Sequence, residues 1–261
     1  MGPPGPAGGG PFPGGFPVGG GALLRALRFV LKGKRAHFRR FYTNSSALTY
    51  PVPPPSALQG LLGAALGLGP EYTEVLSGLY LSVRPSGAQR HLFQTVNYLL
   101  IKEGKLEELR GLHKEGRTQI PLQFLVGEGG RPVAFEVWVA SEDAHLLRRL
   151  AGALEAPSYP LSLGSAFALA WAEEVGLFAG EVVRGWEGEG LGWWEVARLH
   201  LKNPPPGTQV YRDRFPVLLG PGRAPKRVEE LALEVRGAPL PLAYEGEVLL
   251  VEGGAWGVVR V

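Results

Sequence analysis

Apolar and polar residues alternate most cleanly over residues 131–140, where Val133, Phe135, Val137 and Val139 are separated by Ala134, Glu136 and Trp138. A period of two sends successive side chains to opposite faces, so this stretch predicts a strand with a buried face. Residues 25–31, 79–83 and 167–175 read as further strands. Helical spacing takes over at Leu58, Leu61, Leu62, Ala65 and Leu66. Pro53-Pro54-Pro55 suits the approach to a helix, and Ser56 with Gln59 has the spacing of a capping box. Gly60, Gly63 and Gly67 each cost about 1 kcal/mol of helix propensity. Their spacing predicts a smooth ridge along which this helix approaches a sheet, and Gly69-Pro70 ends it. A second helix is predicted from Ser141, with Asp143 in its first turn and Leu146, Leu147, Leu150 and Leu154 on one face.

The order β-α-β, insertion, β-α-β is that of a ferredoxin-like (RRM-like) unit, so an α+β fold is expected over residues 24–180. The insertion spans about residues 85–126; its strand-like ends, 91–101 and 117–126, flank a charged tip at 102–115 and predict a β-hairpin thumb. Residues 181–261 carry turn signals and short strands at 196–201, 230–235, 247–251 and 255–261, which predicts a small β-rich C-terminal subdomain. The glycine-rich stretch 185–192 fits neither the dinucleotide-binding nor the P-loop pattern.

Composition narrows the chemistry. The head, residues 1–23, is nearly all Gly, Pro and Ala up to residue 21, and such a segment buries too little apolar area to offset its chain entropy. It is expected to be disordered, with folding starting near Leu24. The chain has no cysteine, which removes disulfides, thiolate metal sites and cysteine nucleophiles. Its five histidines lie without ligand spacing, so neither a metal nor another cofactor is expected. The apolar run 61–68 is far short of the roughly 20 residues that cross a bilayer, so a cytoplasmic protein with no membrane partner is expected.

The net charge of +3 hides a strong local asymmetry. Arg25, Arg28, Lys32, Lys34, Arg35, Arg39 and Arg40 follow one another with no acid between them, and such a field attracts phosphates. Within it, Phe38, Phe41 and Tyr42 offer rings for unpaired bases, and Thr43, Asn44, Ser45 and Ser46 offer hydrogen bonds to sugars and base edges. The insertion adds Arg90, Gln94, Asn97, Tyr98, Lys114, Arg117 and Gln119. A catalytic alternative is weaker: metal-free RNA cleavage needs a base, an acid and a cation, parts that Tyr42, His113 and Lys114 have the chemistry to supply.

The stretch Lys32-Gly33-Lys34-Arg35-Ala36-His37-Phe38-Arg39, continued by Tyr50-Pro51-Val52-Pro53-Pro54-Pro55 and the small-residue helix from Ser56 to Gly67, closely resembles the start of the CRISPR-associated Cas-five family. The likeness is strongest to members from type I-B systems. Gln94-Thr95-Val96-Asn97-Tyr98-Leu99, Thr118-Gln119-Ile120-Pro121 and Tyr159-Pro160-Leu161-Ser162-Leu163-Gly164 agree with it, so the resemblance covers roughly residues 25–180. It implies an RNA-recognition-like domain with a protruding thumb in a non-catalytic subunit of a type I RNA-guided surveillance (Cascade) complex. Such a subunit grips the 5′ repeat-derived tag of the CRISPR RNA, abuts the backbone and large subunits, and lies near the target DNA. The resemblance implies RNA contacts at Lys34, Arg35, Phe38, Arg39 and Tyr42 and, in the thumb, at Gln94, Asn97, Tyr98, Arg117 and Gln119; charge and side-chain chemistry add Lys32, Arg40, Asn44, Arg90 and Lys114 to the expected set. Some type I-C relatives cleave the repeat with a Tyr, a Lys and a His, which keeps Tyr42, His113 and Lys114 as the nuclease alternative.

Overall fold

The computed structural model describes residues 22–43, 47–99 and 117–261. Of the head expected to be disordered, residues 1–21 lie outside the described residues, while Ala22 and Leu23 are already in the first strand, paired with Val182 and Glu181.

The first strand, β1 (Ala22–Gly33), leads through a long loop to α1 (Pro55–Leu66) and the short α2 (Tyr72–Val75), then to β2 (Tyr80–Pro85). The insertion is a two-stranded ribbon of β3 (Gln89–Leu99) and β4 (Arg117–Gly127). After it come β5 (Val133–Ser141), α3 (Ala144–Glu155) and β6 (Ala170–Gly192). Within one sheet the order is β2–β5–β1–β6, each neighbour antiparallel.

Alternation decides the faces. Leu27, Phe29 and Leu31 of β1, with Val133, Phe135, Val137 and Val139 of β5, join the buried leucines of α1 and α3 in the main core. The intervening positions point the other way. There Trp138, Ala26 and Leu24 meet Leu249, Val251 and Trp256 from β11 (Leu240–Val251) and β12 (Gly254–Gly257). The sheet curls to bring them together, because β12 pairs with β6 and β11 while its continuation β13 (Val259–Arg260) pairs with β2. The result is a mixed α/β structure dominated by a curled sheet.

The expected boundary at residue 180 falls inside β6, which runs unbroken from pairing with β1 to pairing with β11. Only part of the C-terminal region stands apart: β7 (Trp194–Glu195), β9 (Val210–Leu219) and β10 (Pro225–Glu234) form a three-stranded sheet. It sends Phe215, Val217, Leu231 and Leu233 into the main core. The remaining short strand, β8 (Leu199–Leu201), pairs with β11.

Three local expectations are corrected. Helix α1 starts at Pro55 with no side-chain cap, because the residue in the capping position is Pro54, which has no side-chain acceptor for the next amides. The supposed capping partner Gln59 is buried and donates instead to the Leu76 carbonyl at 3.3 Å. The glycine ridge faces a helix rather than a sheet: a Cβ on Gly63 would lie 2.7 Å from that of Tyr72 in α2. Asp143 is the cap of α3 rather than a first-turn residue, accepting from the His145 and Leu146 amides at 2.9 Å each.

One charged group sits inside the curl. Glu136 is buried between Arg28 (2.7 Å) and Arg84 (2.6 Å), and Arg84 lies over the Trp256 ring. Burial alone pushes its carboxyl up, but the hydrogen bonds and charges of the two guanidiniums outweigh that and hold it below the usual 4.5. A depressed folded-state value contributes stability that is complete above about pH 4.5 and is lost as pH falls through the folded value. Glu136→Gln leaves two half-buried arginines without their shared anion and is expected to cost about 2 kcal/mol at neutral pH. Thermal melts from pH 6 down to pH 3 check this: the gap between wild type and variant narrows as the acid end is reached.

Candidate nucleic-acid interface

The loop between β1 and α1 holds the basic and aromatic run, and it is laced to the ribbon. Ala36 and Leu125 exchange two backbone hydrogen bonds of 2.9 Å. Gln123 donates its amide to the Ala47 carbonyl at 3.0 Å, and its side-chain oxygen accepts from the Thr49 amide at 3.1 Å. The buried His37 ring meets the Gln123 carbonyl at 2.8 Å through Nδ1, a contact that requires Nδ1 to carry the proton. Burial pushes the His37 pKa down, with the positive charge of Arg39 adding to it and the carbonyl opposing. On the other side Gly164 touches this segment so closely that a Cβ would lie 2.1 Å from the His37 carbonyl oxygen. At its φ of +89° only glycine fits comfortably.

This lacing sorts the expected contacts. Lys34, Arg35 and Arg39 are exposed; Arg35 lies over the Phe124 ring at 5.9 Å, and Arg39 donates to the Thr43 carbonyl at 3.0 Å. Phe38 is only 3% exposed and packs edge-on against Phe135, so it is a core residue and its ring cannot stack on a base. Lys32 is paired with Glu173 at 2.6 Å. Arg40 is drawn inward over the Tyr50 and Tyr211 rings, 3.6 Å from Asp213. Lys32 and Arg40 thus each have an acid within 4 Å, from β6 and β9 respectively, the first pair exposed and the second half-buried. Tyr42 donates its hydroxyl to both Asp213 oxygens, at 2.7 and 2.6 Å.

The ribbon divides its own candidates. Gln94 pairs in register with Leu122, and Arg90 with Val126, on the face that carries Phe124. Asn97 and Gln119 pair with each other on the opposite face, which also presents Phe93. One RNA strand therefore cannot meet Gln94 and Asn97 from the same side. In the backbone Tyr98 is in register with Thr118 and Arg117 with Leu99. Asn44, His113 and Lys114 lie outside the described residues.

Residues that sequence reasoning missed come from β9. Asp213 accepts from Tyr42 and from the Tyr211 hydroxyl, and Arg214 lies 5.7 Å from the Phe41 ring centroid and 5.6 Å from that of Tyr42. The signal was the alternation Tyr211-Arg212-Asp213-Arg214-Phe215, a strand whose exposed positions carry charge. Among the described residues no cluster of three or more His, Asp or Glu is placed to hold a metal ion, and no helix is long and apolar enough to cross a membrane.

Comparison with known proteins agrees with the architecture. A family profile described as CRISPR-associated protein (Cas_Cas5) matches residues 26–205. No curated protein matches the chain. The crystal structure of a CRISPR protein from Archaeoglobus fulgidus superposes with a TM-score of 0.54 at 12% identity, covering 91% of this chain and 99% of that one. At that identity the likeness is one of fold. A chain of a CRISPR RNA-guided surveillance complex superposes with a TM-score of 0.42 at 15% identity, covering 85% and 90% of the two chains. A chain from a Type III-B Cmr-beta assembly bound to cognate target RNA and AMPPnP does so with 0.41 at 12% identity, covering 83% and 86%.

The sorting of Phe38 from Arg35 is open to measurement. Phe38→Ala empties a core site and is expected to lower stability by about 3 kcal/mol, whereas Arg35→Ala, at the surface, shifts it by less than about 0.5 kcal/mol. Chemical denaturation of the two variants checks the contrast, and equal losses would return Phe38 to the surface.

Proposed function

This chain belongs to the CRISPR-associated Cas5 family, and from that premise we propose that it is a non-catalytic RNA-binding subunit of a type I surveillance complex. In this reading it holds the 5′ repeat-derived tag of the CRISPR RNA, contacts the backbone and large subunits near the target DNA, and works in the cytoplasm. The type I-B assignment rests on the motifs from Lys32 to Gly67. A ferredoxin-like description of the core is supported by the antiparallel order β2–β5–β1–β6 with α1 and α3 on one face.

The observation that carries the reading is a cationic loop anchored by its backbone to the base of a projecting ribbon. Lys34, Arg35 and Arg39 are exposed on that loop, and Arg35 lies over Phe124, on the ribbon face that also carries Arg90 and Gln94. Anchoring matters because a flexible loop of lysines and arginines loses conformational entropy when it binds, and a laced one has already lost it. The proteins of RNA-guided systems leave sequence to base pairing and read backbone and shape, which suits this array.

Tyr42 is poorly suited to the nuclease alternative. Burial raises its pKa, as do the hydrogen bond and charge of Asp213, with Arg40 opposing, so the hydroxyl is held as a donor rather than a base.

In the reconstituted complex, Arg35→Ala with Arg39→Ala is expected to weaken RNA retention whatever the sequence. It should also reduce the slope of log affinity against log salt by about 1.4, roughly 0.7 for each lost single-strand contact. Retention unchanged at moderate salt contradicts the reading. Labelled repeat RNA incubated with the purified chain in EDTA is expected to stay intact; cleavage lost on His113→Ala would establish the nuclease instead.

A further inference from the structure

We propose that Phe41, Tyr42 and Arg214 form a stacking subsite for one unpaired base of a single-stranded RNA, with Asp213 as the positioning residue that holds it in shape. The inference rests on the RNA-binding reading above and extends the interface to β9, a part of the chain with no expected contact.

The three groups make an open platform. The Phe41 and Tyr42 rings meet edge to face, 5.3 Å apart at 87°, and Arg214 lies over both. They stay exposed: Phe41 by 37% and Tyr42 by 39%. Large rings at a surface ordinarily turn inward to shed that area, yet these two are held out.

What holds them is polar and built from distant parts of the sequence. Tyr42 is tied by its hydroxyl to Asp213, whose Oδ1 also accepts the Arg214 amide at 2.7 Å and whose Oδ2 accepts the Tyr211 hydroxyl. Arg40 approaches the same carboxylate at 3.6 Å. From the other side the Tyr50 hydroxyl donates to the Arg214 carbonyl at 2.6 Å, beneath a ring stacked on Phe215. Glu230, opposite Arg214 on β10, is bound by Arg212 at 2.8 Å. The Arg214 backbone is thus fixed at both its amide and its carbonyl, beneath the guanidinium that lies over the rings.

A fixed pair of rings with a guanidinium beside them is complementary to a planar, π-rich group carrying negative charge nearby. An unpaired nucleotide has both, with the base on the rings and its phosphate toward Arg214 or Arg39. Every base has a π face, so the subsite grips without reading sequence.

The test uses the full chain with single-stranded RNAs in which 5-iodouridine replaces each position in turn. Photocrosslinking is expected to place one position on Phe41 or Tyr42. Phe41→Ala and Phe41→Leu should each weaken binding about tenfold, within the range for a lost base–aromatic stack, with the salt slope unchanged, while Phe41→Trp retains affinity. Arg214→Ala should weaken binding as well. Leucine keeps the apolar bulk, so loss in Phe41→Leu without loss in Phe41→Trp isolates the ring. If RNA binds and depends on Arg35, yet Phe41→Leu and Arg214→Ala bind like wild type, the subsite is overturned and the RNA-binding reading stands. If wild type binds no RNA, alone or in the assembled complex, both fall.

Discussion

Two backbone hydrogen bonds between Ala36 and Leu125 fix the relation on which the interface depends. They fasten the loop after β1 to β4, and the neighbouring contacts of His37, Ala47 and Thr49 with residues 121–123 extend the seam. Without it the cations would sit on an unconstrained connection and the ribbon on another, and no geometry would relate them. With it, Phe38 is pulled into the core on one side of the chain while Arg35 and Arg39 remain outside on the other. Three successive buried residues, Ala36, His37 and Phe38, are the anchor, and the exposed cations flank them on either side.

Electrostatics divides the basic run a second time. Each of Arg28, Lys32 and Arg40 has an acid from a strand far away in sequence: Glu136 and Glu174, Glu173, and Asp213. Lys34, Arg35 and Arg39 have none of these partners and carry the outward field. Of the seven cations of the run, four are exposed outside these pairs: Arg25 on β1, and Lys34, Arg35 and Arg39 close together on the loop whose backbone is fixed.

Much of this was legible in the chain itself. Strand β5 and the α1 and α3 faces are legible from period, the ribbon from strand-like stretches that flank a charged tip, and the element order follows from them. Three features did not. The pairing of Arg40 and Tyr42 with Asp213 joins positions 171 or more residues apart, and no local pattern announces a contact of that range. Phe38 carries the same chemistry as Phe41, and only the crossing of the loop over β5 tells a core ring from an exposed one. The boundary near residue 180 follows from the turn signals and short strands of the region beyond it. There β6 is paired with β1 and β11 at once over residues 180–182, and at Gly180 the side chains of Ala26, Leu249 and Val251 from those two strands crowd in.

Hydrogen exchange on the full chain, with and without single-stranded RNA, tests the central claim most directly. The account predicts that the amides of Ala36, Tyr50, Gln123 and Leu125 are slow in the free protein and that the segment from Lys34 to Thr43 slows further when RNA is added. Rapid exchange at Ala36 and Leu125, or RNA protection confined to surfaces away from this loop and the ribbon, would contradict it.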